Sequence, residues 1–379
     1  MSDERADIAI LGGGCAGLSL AVQLVARGLD GVRVVVLEQR PEYVRDRTWC
    51  GWSVVPHAFQ DCVDHAWSRW QVRGSGECYT HSSARYRYEH IPADRFYASA
   101  QERIAASSGA ALRTGVDVHG VHDLGGSHRI RTSSGDVVAE TIVDARSSSP
   151  RRVSSGLLQH FRGWEVTTAA PVFDPETVTL MDFDVVQDDG AVHFLYVLPF
   201  SPTRALVEST VLSPDLLPEA EYEARIEEYV ARRFGTRIQE IGYVEAGAIP
   251  MTTDAMPPDA RGPRAGTAGG AVKASSGYAF HAIQRTTAEL ATRLLAGTAS
   301  GSVAARSRLD AWMDGVFLSF LQHNPERGAE VFLRLFRSVD SDTIVRFMME
   351  VPTTTDRLQF VTAMPKTPFM REALRSSVA

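Results

Sequence analysis

Gly12-Gly13-Gly14-Cys15-Ala16-Gly17 follows directly on the apolar run Ile8-Ala9-Ile10-Leu11, a pattern suited to holding a pyrophosphate. Gly12 permits the tight turn, Gly14 lets the backbone approach phosphate oxygens, and Gly17 lets the next helix pack closely on the strand. The phosphates would lie on the N-terminus of that helix. Glu38 closes a second apolar run from Val32 to Leu37 and is placed to accept hydrogen bonds from an adenosine ribose. A different chemistry is open to Glu208 in RALVESTVL, where alternation groups it with Leu206, Thr210 and Leu212 and sends Val207 and Val211 to the other face. A carboxyl among leucines keeps its proton toward neutral pH, which is what protonating an alkene demands. The plainer alternative is a glutamate on a half-exposed sheet. Asp182 and Asp184, two apart, share a face of their own strand; a polar solvent face is the usual reason, and Asp182 is the second candidate catalytic carboxylate.

These residues require elements that hold them. Leu18, Ala21, Val22 and Val25 recur at helical spacing after the glycines, and Gly28 can end that helix, so the start is strand, helix, strand. From Pro41 to about Ala93 the chain reads as irregular, rich in Trp, Tyr and Arg. Asp94 can cap a helix to about Ser107, followed by strands around Val116, His128–Thr132 and Val137–Ile142. Residues 160–213 read as sheet, with a hairpin at Ser201-Pro202-Thr203; 219–236 form an amphipathic helix and 241–250 a strand. A second glycine-rich loop, GTAGGAVKASSGY, feeds a long helix, with Ser275-Ser276-Gly277 as its cap chemistry. From Ala304 onward the chain reads as helical, broken at Pro352 and Pro365. An NAD enzyme would continue in regular βαβ units. The late return to a glycine loop suits FAD, with a helix N-terminus facing the flavin ring.

Composition narrows the class. At 379 residues with 44% hydrophobic and 22% charged content, the chain is globular and long enough for two domains. Its net charge of −7 argues against nucleic-acid binding. The four cysteines form no close pair, and neither they nor the histidines show metal-ligand spacing, so no metal is expected. Cys15 reads as a small packing residue, not a redox thiol. An acidic amino terminus and no apolar span point to a cytoplasmic protein, soluble or peripheral at a membrane.

Further motifs carry a resemblance. Arg47-Thr48-Trp49, Asp94-Arg95-Phe96-Tyr97, Asp144-Ala145-Arg146, Phe161-Arg162-Gly163-Trp164-Glu165, Met181-Asp182-Phe183, Leu198-Pro199-Phe200…Val207-Glu208-Ser209-Thr210 and Gly266-Thr267-Ala268-Gly269-Gly270…Gly277-Tyr278 follow the glycine loop in order. Together they resemble the lycopene cyclase family over residues 7 to about 285, with the helical tail matching loosely. The resemblance implies FAD, active in its reduced form with NAD(P)H as candidate electron donor, and a hydrophobic isoprenoid or polyene closed into a ring without net oxidation. It implies cofactor contacts from Gly12, Gly14, Cys15, Ala16, Gly17, Glu38, Thr48, Trp49, Arg95, Asp144, Gly269, Gly270, Gly277 and Tyr278, with Glu208 and Asp182 in proton transfer. Two departures stand out: Ser209 replaces the second acid of the plant members' Glu-Glu-Thr, and Asp184 stands where a basic residue is expected. Gly266-Thr267 and Asp144-Ala145 replace the Gly-Asp and Asp-Gly of flavin hydroxylases, which weakens an oxygenase reading.

The expected fold is α/β. A discontinuous Rossmann-like FAD-binding domain takes 1–60, 94–150 and 245–300; an antiparallel β substrate domain takes 61–93 and 151–244; a helical region takes 301–379. A flavin oxygenase or reductase acting on a lipid, and a non-catalytic isoprenoid carrier, remain as alternatives. Trp49, Trp52, Trp164, Tyr196 and Tyr278 could line a cation-stabilising pocket, though core packing is the commoner fate of such rings.

Overall fold

Successive residues of a strand point to opposite faces, so an apolar run with no polar interruption must be covered on both sides. Ile8 and Ile10 pack on one side of the first strand with Leu18, Val22, Ile104 and Ile283, while Ala9 and Leu11 pack on the other with Val35, Leu37 and Ile142. The computed structural model, which describes residues 4–146, 156–253 and 261–376, places this strand (Glu4–Leu11) inside a six-stranded sheet. The order is Ala110–Arg113, Val34–Leu37, Glu4–Leu11, Val137–Asp144, His128–Thr132, Val118–Asp123, the first four parallel and the last two antiparallel. Helices Cys15–Ala26, Ala93–Ala105 and Phe280–Leu295 cover one face.

A seven-stranded sheet runs Ile238–Met251, Leu157–Thr168, Arg204–Ser213, Val192–Ser201, Thr177–Asp182, Arg69–Gly74, Glu77–Ser82. Helix Glu219–Phe234 covers one face with Ile226, Tyr229 and Val230 against Val207. It ends at Gly235, whose φ of 65° is the left-handed region that glycine adopts without strain. Helices of the tail cover part of the opposite face, Phe332, Leu333 and Phe336 packing with Trp70, Val72 and Met181. Those helices are Arg308–His323, Gly328–Ser338, Ser341–Met348, Thr354–Ala363 and Lys366–Ser376, broken at Pro352 and Pro365 as expected. The Phe, Leu and Met residues of the tail mostly join this core, and Phe332, Phe336 and Met348 also border the cavity between the two large sheets. No helix of the described residues is long and apolar enough to cross a membrane.

Several expectations need correction. The stretch from Pro41 to Ala93 is not irregular: it holds five strands, three of which (Thr48–Trp52, Tyr88–Pro92, His65–Trp67) make a small sheet of their own. That sheet straddles the boundary drawn at 60/61. The boundary at 244/245 also falls inside one strand, since Ile238–Met251 pairs along its length with Leu157–Thr168. The boundary at 150/151, with the end of the DARSSSPRR segment, lies outside the described residues. Val116 lies between strands. Asp94 sits in the first turn of its helix, whose cap position is Pro92. Ser275-Ser276-Gly277 precede the long helix without capping it: its cap position is Ala279, with no side-chain hydrogen bond.

Candidate active site

One cavity of about 650 Å³ runs between the two large sheets. Its first half is the glycine loop. Gly12 takes a φ of 99°, and a side chain at Gly17 would place its Cβ 1.9 Å from the Gly12 carbonyl oxygen, so neither position admits another residue without shifting backbone. Gly14 differs: nothing lies within 4 Å of where its Cβ would be, and its backbone borders open cavity. Cys15 and Ala16 line the same space, and no side chain caps the helix that begins there. Its first N–H groups are left for an anion. Burial pushes the Cys15 thiol up to about 12, which removes it from thiolate chemistry.

Glu38 is buried at the end of its strand. It accepts from the Gly13 N–H at 2.6 Å and from the Arg40 N–H at 2.9 Å, and the Arg40 guanidinium pairs with it. Burial opposes its charge, but these donors outweigh that and hold its pKa below the ordinary range. The second glycine loop reaches the cavity through Gly266 and Thr267, then through Ser275 to Phe280. The Ser276 hydroxyl is buried there without a protein partner, next to the uncapped N-terminus of Phe280–Leu295. An ion pair fixes this loop: Lys273 and Asp314, 2% and 1% exposed, meet at 2.8 Å, and the Ser275 hydroxyl donates to the same carboxylate oxygen at 2.6 Å. Two uncapped helix ends, an acid at a strand end and an orphaned hydroxyl fit a dinucleotide with its ring toward the second loop.

The other half of the cavity is largely apolar, with Phe161, Leu180, Met181, Leu206, Phe332 and Phe336 in its wall. Glu208 opens into it, its Oε1 accepting from the Thr210 hydroxyl at 2.6 Å. Burial drives its pKa well above the carboxylate range, and the nearby Glu245 carboxylate drives it further. Glu245, absent from the sequence-based candidates, lines the same space and accepts from the Tyr243 hydroxyl at 3.1 Å. Burial raises it too, while the Thr48 and Tyr243 hydroxyls and the guanidiniums of Arg45 and Arg47 oppose the rise. Tyr88, Tyr196 and Tyr278 join the halves through a hydroxyl chain, Tyr88 to Tyr196 at 2.8 Å and Tyr88 to Tyr278 at 3.0 Å.

Of the residues expected at the site, Gly12, Gly14, Cys15, Ala16, Glu38, Thr48, Trp49, Glu208, Gly277 and Tyr278 line the cavity; Gly17, Gly269 and Gly270 shape its loops from behind. Three are elsewhere. Arg95 is 53% exposed and pairs with Asp64 at 2.8 Å. Asp144 binds Arg146 at 2.6 Å, and its carbonyl accepts from Ala265 N–H, so it ties the two loops together from outside the cavity. Asp182 points away from the cavity, fully buried beneath helix Glu219–Phe234, accepting from the Tyr229 hydroxyl at 2.9 Å with Arg73 and Arg233 each 3.6 Å away. That surrounding is structural, and it corrects the expectation of a catalytic part for Asp182. Trp49 and Tyr196 reach the cavity, Trp52 lies behind Tyr88, and Trp164 faces the opposite side of the sheet. Asp64, His65 and His90 bring ligand atoms within 4.8 Å of one another, a cluster invisible in the spacing. The Arg95 cation already occupies Asp64, which disfavours a metal ion there.

Two sheets meeting over a dinucleotide cradle define a flavoprotein-type fold. The chain shares it with a geranylgeranyl bacteriochlorophyll reductase-like protein from Thermoplasma acidophilum (TM-score 0.61, 14% identity, 99% of this chain and 100% of that one). A flavoprotein/dehydrogenase from Cytophaga hutchinsonii matches at TM-score 0.61 and 16% identity over 99% of each chain. The flavin-dependent monooxygenase PieE, solved with FAD and substrate, matches at 0.55 and 13%, covering 100% of this chain and 72% of its own. The chain belongs to the lycopene cyclase protein family, whose model matches residues 7–374 and so takes in the tail as well. It is 26% identical over 385 residues to lycopene beta-cyclase of Pantoea ananas (96% of each chain). It is 30% identical over 286 residues to that of a Paracoccus species (70% of this chain, 72% of the relative).

Proposed function

We propose that this protein is an FAD-dependent isomerase that closes a ring at the end of an acyclic polyene, most simply lycopene, without net oxidation. The observation that carries the reading is the continuity of one cavity from the Gly12–Gly17 cradle to a proton-holding carboxyl, Glu208, among apolar side chains. Gly12, Gly14, Cys15, Ala16, Glu38 and the loop from Ser275 to Tyr278 would hold the dinucleotide. When bound and reduced, FAD would supply negative charge able to stabilise a carbocation through space. Glu208 delivers a proton to the terminal alkene, an act its position among Leu206 and Leu212 favours by keeping it protonated. Phe161, Leu180 and Met181 exclude water that would otherwise quench the cation, and the rings of Trp49 and Tyr278 border its path. Among known members of the fold are oxygenases and reductases, so redox balance is the discriminating measurement. Chemically reduced, anaerobic enzyme given lycopene in phospholipid vesicles should turn over repeatedly to an isomeric cyclic product. Consumption of one NAD(P)H per product, or a need for oxygen, would overturn the reading.

Gly14→Val tests the cofactor site separately. Its side chain would project into the space where the backbone must approach a pyrophosphate, and nothing in the protein would be displaced. The variant should fold and purify colourless, with flavin content below a tenth of wild type by absorbance. Retention of stoichiometric FAD would remove the glycine loop from the proposal, and a colourless wild type would favour a carrier.

A further inference from the structure

Ring closure moves two protons: one is added to the alkene, and a different one leaves the cyclic cation. Gly163, in the middle strand, is paired with Glu208 on one side and Glu245 on the other. Residues in register across neighbouring strands point to the same face, so both glutamates rise from one face with a glycine between them. The outer strands are about 10 Å apart, two strand spacings. The stem of Glu208 already leans over the gap, its Cβ and Cγ each 3.4 Å from where a Gly163 side chain would begin. Both residues line the same cavity, and the position between them on that face carries no side chain.

Resting on the cyclase reading, we propose that Glu245 is a second catalytic carboxylate, the base that takes the ring proton from the cation Glu208 creates. Glu208–H gives its proton to a terminal alkene carbon; the next double bond supplies the electron pair of the new carbon–carbon bond; Glu245 accepts the proton whose C–H pair becomes the ring alkene. Between turnovers Glu245 gives that proton up to solvent and Glu208 is reprotonated from solvent, so the catalyst is restored and no oxidant or reductant is consumed. The surroundings assign the roles. Burial raises both carboxyls, but at Glu245 the Tyr243 hydroxyl and the Arg45 and Arg47 guanidiniums oppose the rise, whereas Glu208 has only the Thr210 hydroxyl, with neutral Cys50 and Tyr278 nearby, so Glu245 is the one of the pair that gives up its proton more readily. Charge on one of these buried carboxyls disfavours charge on the other, which adds to the retention of the proton by Glu208.

The experiment uses the flavin-loaded full-length enzyme, reduced, with lycopene vesicles in D₂O. Wild type should give cyclic product with ring deuterium. Glu245→Gln should bind flavin normally and cyclise about 10²-fold or more slowly. Because Glu208 still protonates the alkene in that variant, recovered lycopene should carry deuterium. Glu208→Gln should give neither product nor exchange. Glu245→Asp, keeping a carboxylate on a shorter stem, should recover part of the rate, which a purely structural role would not require. Cyclisation by Glu245→Gln at the wild-type rate, or its loss with no exchange into lycopene, would overturn the role for Glu245. No ring product from wild type would instead overturn the cyclase reading on which it rests.

Discussion

Glu208→Gln is expected to lower ring formation by about 10²–10⁴, the usual contribution of a general acid or base, while leaving the fold and flavin content intact. The amide keeps the shape of the side chain and the hydrogen bond from Thr210 but cannot release a proton. Activity within threefold of wild type, measured as pigment formed per bound flavin, would dismiss Glu208 from the chemistry. The same variant carries a stability signature. Glu208 titrates higher in the folded chain than in the unfolded one, because burial and Glu245 disfavour its charge. A group raised in this direction contributes stability that is fully present below its unfolded pKa of ~4.3 and is lost as pH rises through the folded value. Wild type should therefore lose melting temperature between mildly acid and alkaline buffer, and Glu208→Gln should lose less. Parallel pH profiles for the two proteins would contradict the burial of a titrating acid.

Lys273→Met should be the most destabilising of the conservative changes to the second loop. It leaves Asp314 charged, 1% exposed and without its partner, a situation that costs about 3–5 kcal/mol. Urea unfolding with an unchanged slope should show the shift. The double variant Lys273→Met/Asp314→Leu should regain most of it, since a buried pair can be replaced by apolar groups of similar size at little cost. A loss under ~1 kcal/mol for the single variant would mean that the loop relaxes to solvate Asp314.

What was legible in the sequence follows from locality. The glycine loop works by backbone conformation within a few residues of itself, so its pattern and its placement before Cys15–Ala26 could be read directly. Glu208 was legible because Leu206, Thr210 and Leu212 mark its face within one strand, and that face is the cavity wall. Glu245 was not, because Ile238–Met251 mixes apolar residues with two acids, Glu240 exposed and Glu245 buried, and only pairing with Gly163 shows which of them faces inward. Asp182 illustrates the converse: alternation says that two faces exist, and the covering helix Glu219–Phe234 decides which one is closed. Arg95 and Asp144 came from motif likeness, which records neighbours in the chain but not the direction of a side chain. The three strands of the small sheet escaped because their partners lie far apart in the chain, Tyr88–Pro92 pairing with both Thr48–Trp52 and His65–Trp67, whereas the hairpin of Arg69–Gly74 with Glu77–Ser82 was local and was simply not read from its Ser75-Gly76 turn.

The tail's share in the cavity wall has a bearing on how the protein matures. Phe332, Phe336 and Met348 close the far end of a chamber whose floor is laid by the first fifty residues. Domains form as they leave the ribosome, amino-terminal parts first. A nascent chain thus has its glycine cradle early, but until the last helices dock it presents the apolar face of the large sheet to water. Chaperone capture or membrane adsorption of that face would fall in the interval before translation ends. A stop codon in the last five helices would then yield aggregation-prone protein, not merely a weaker enzyme.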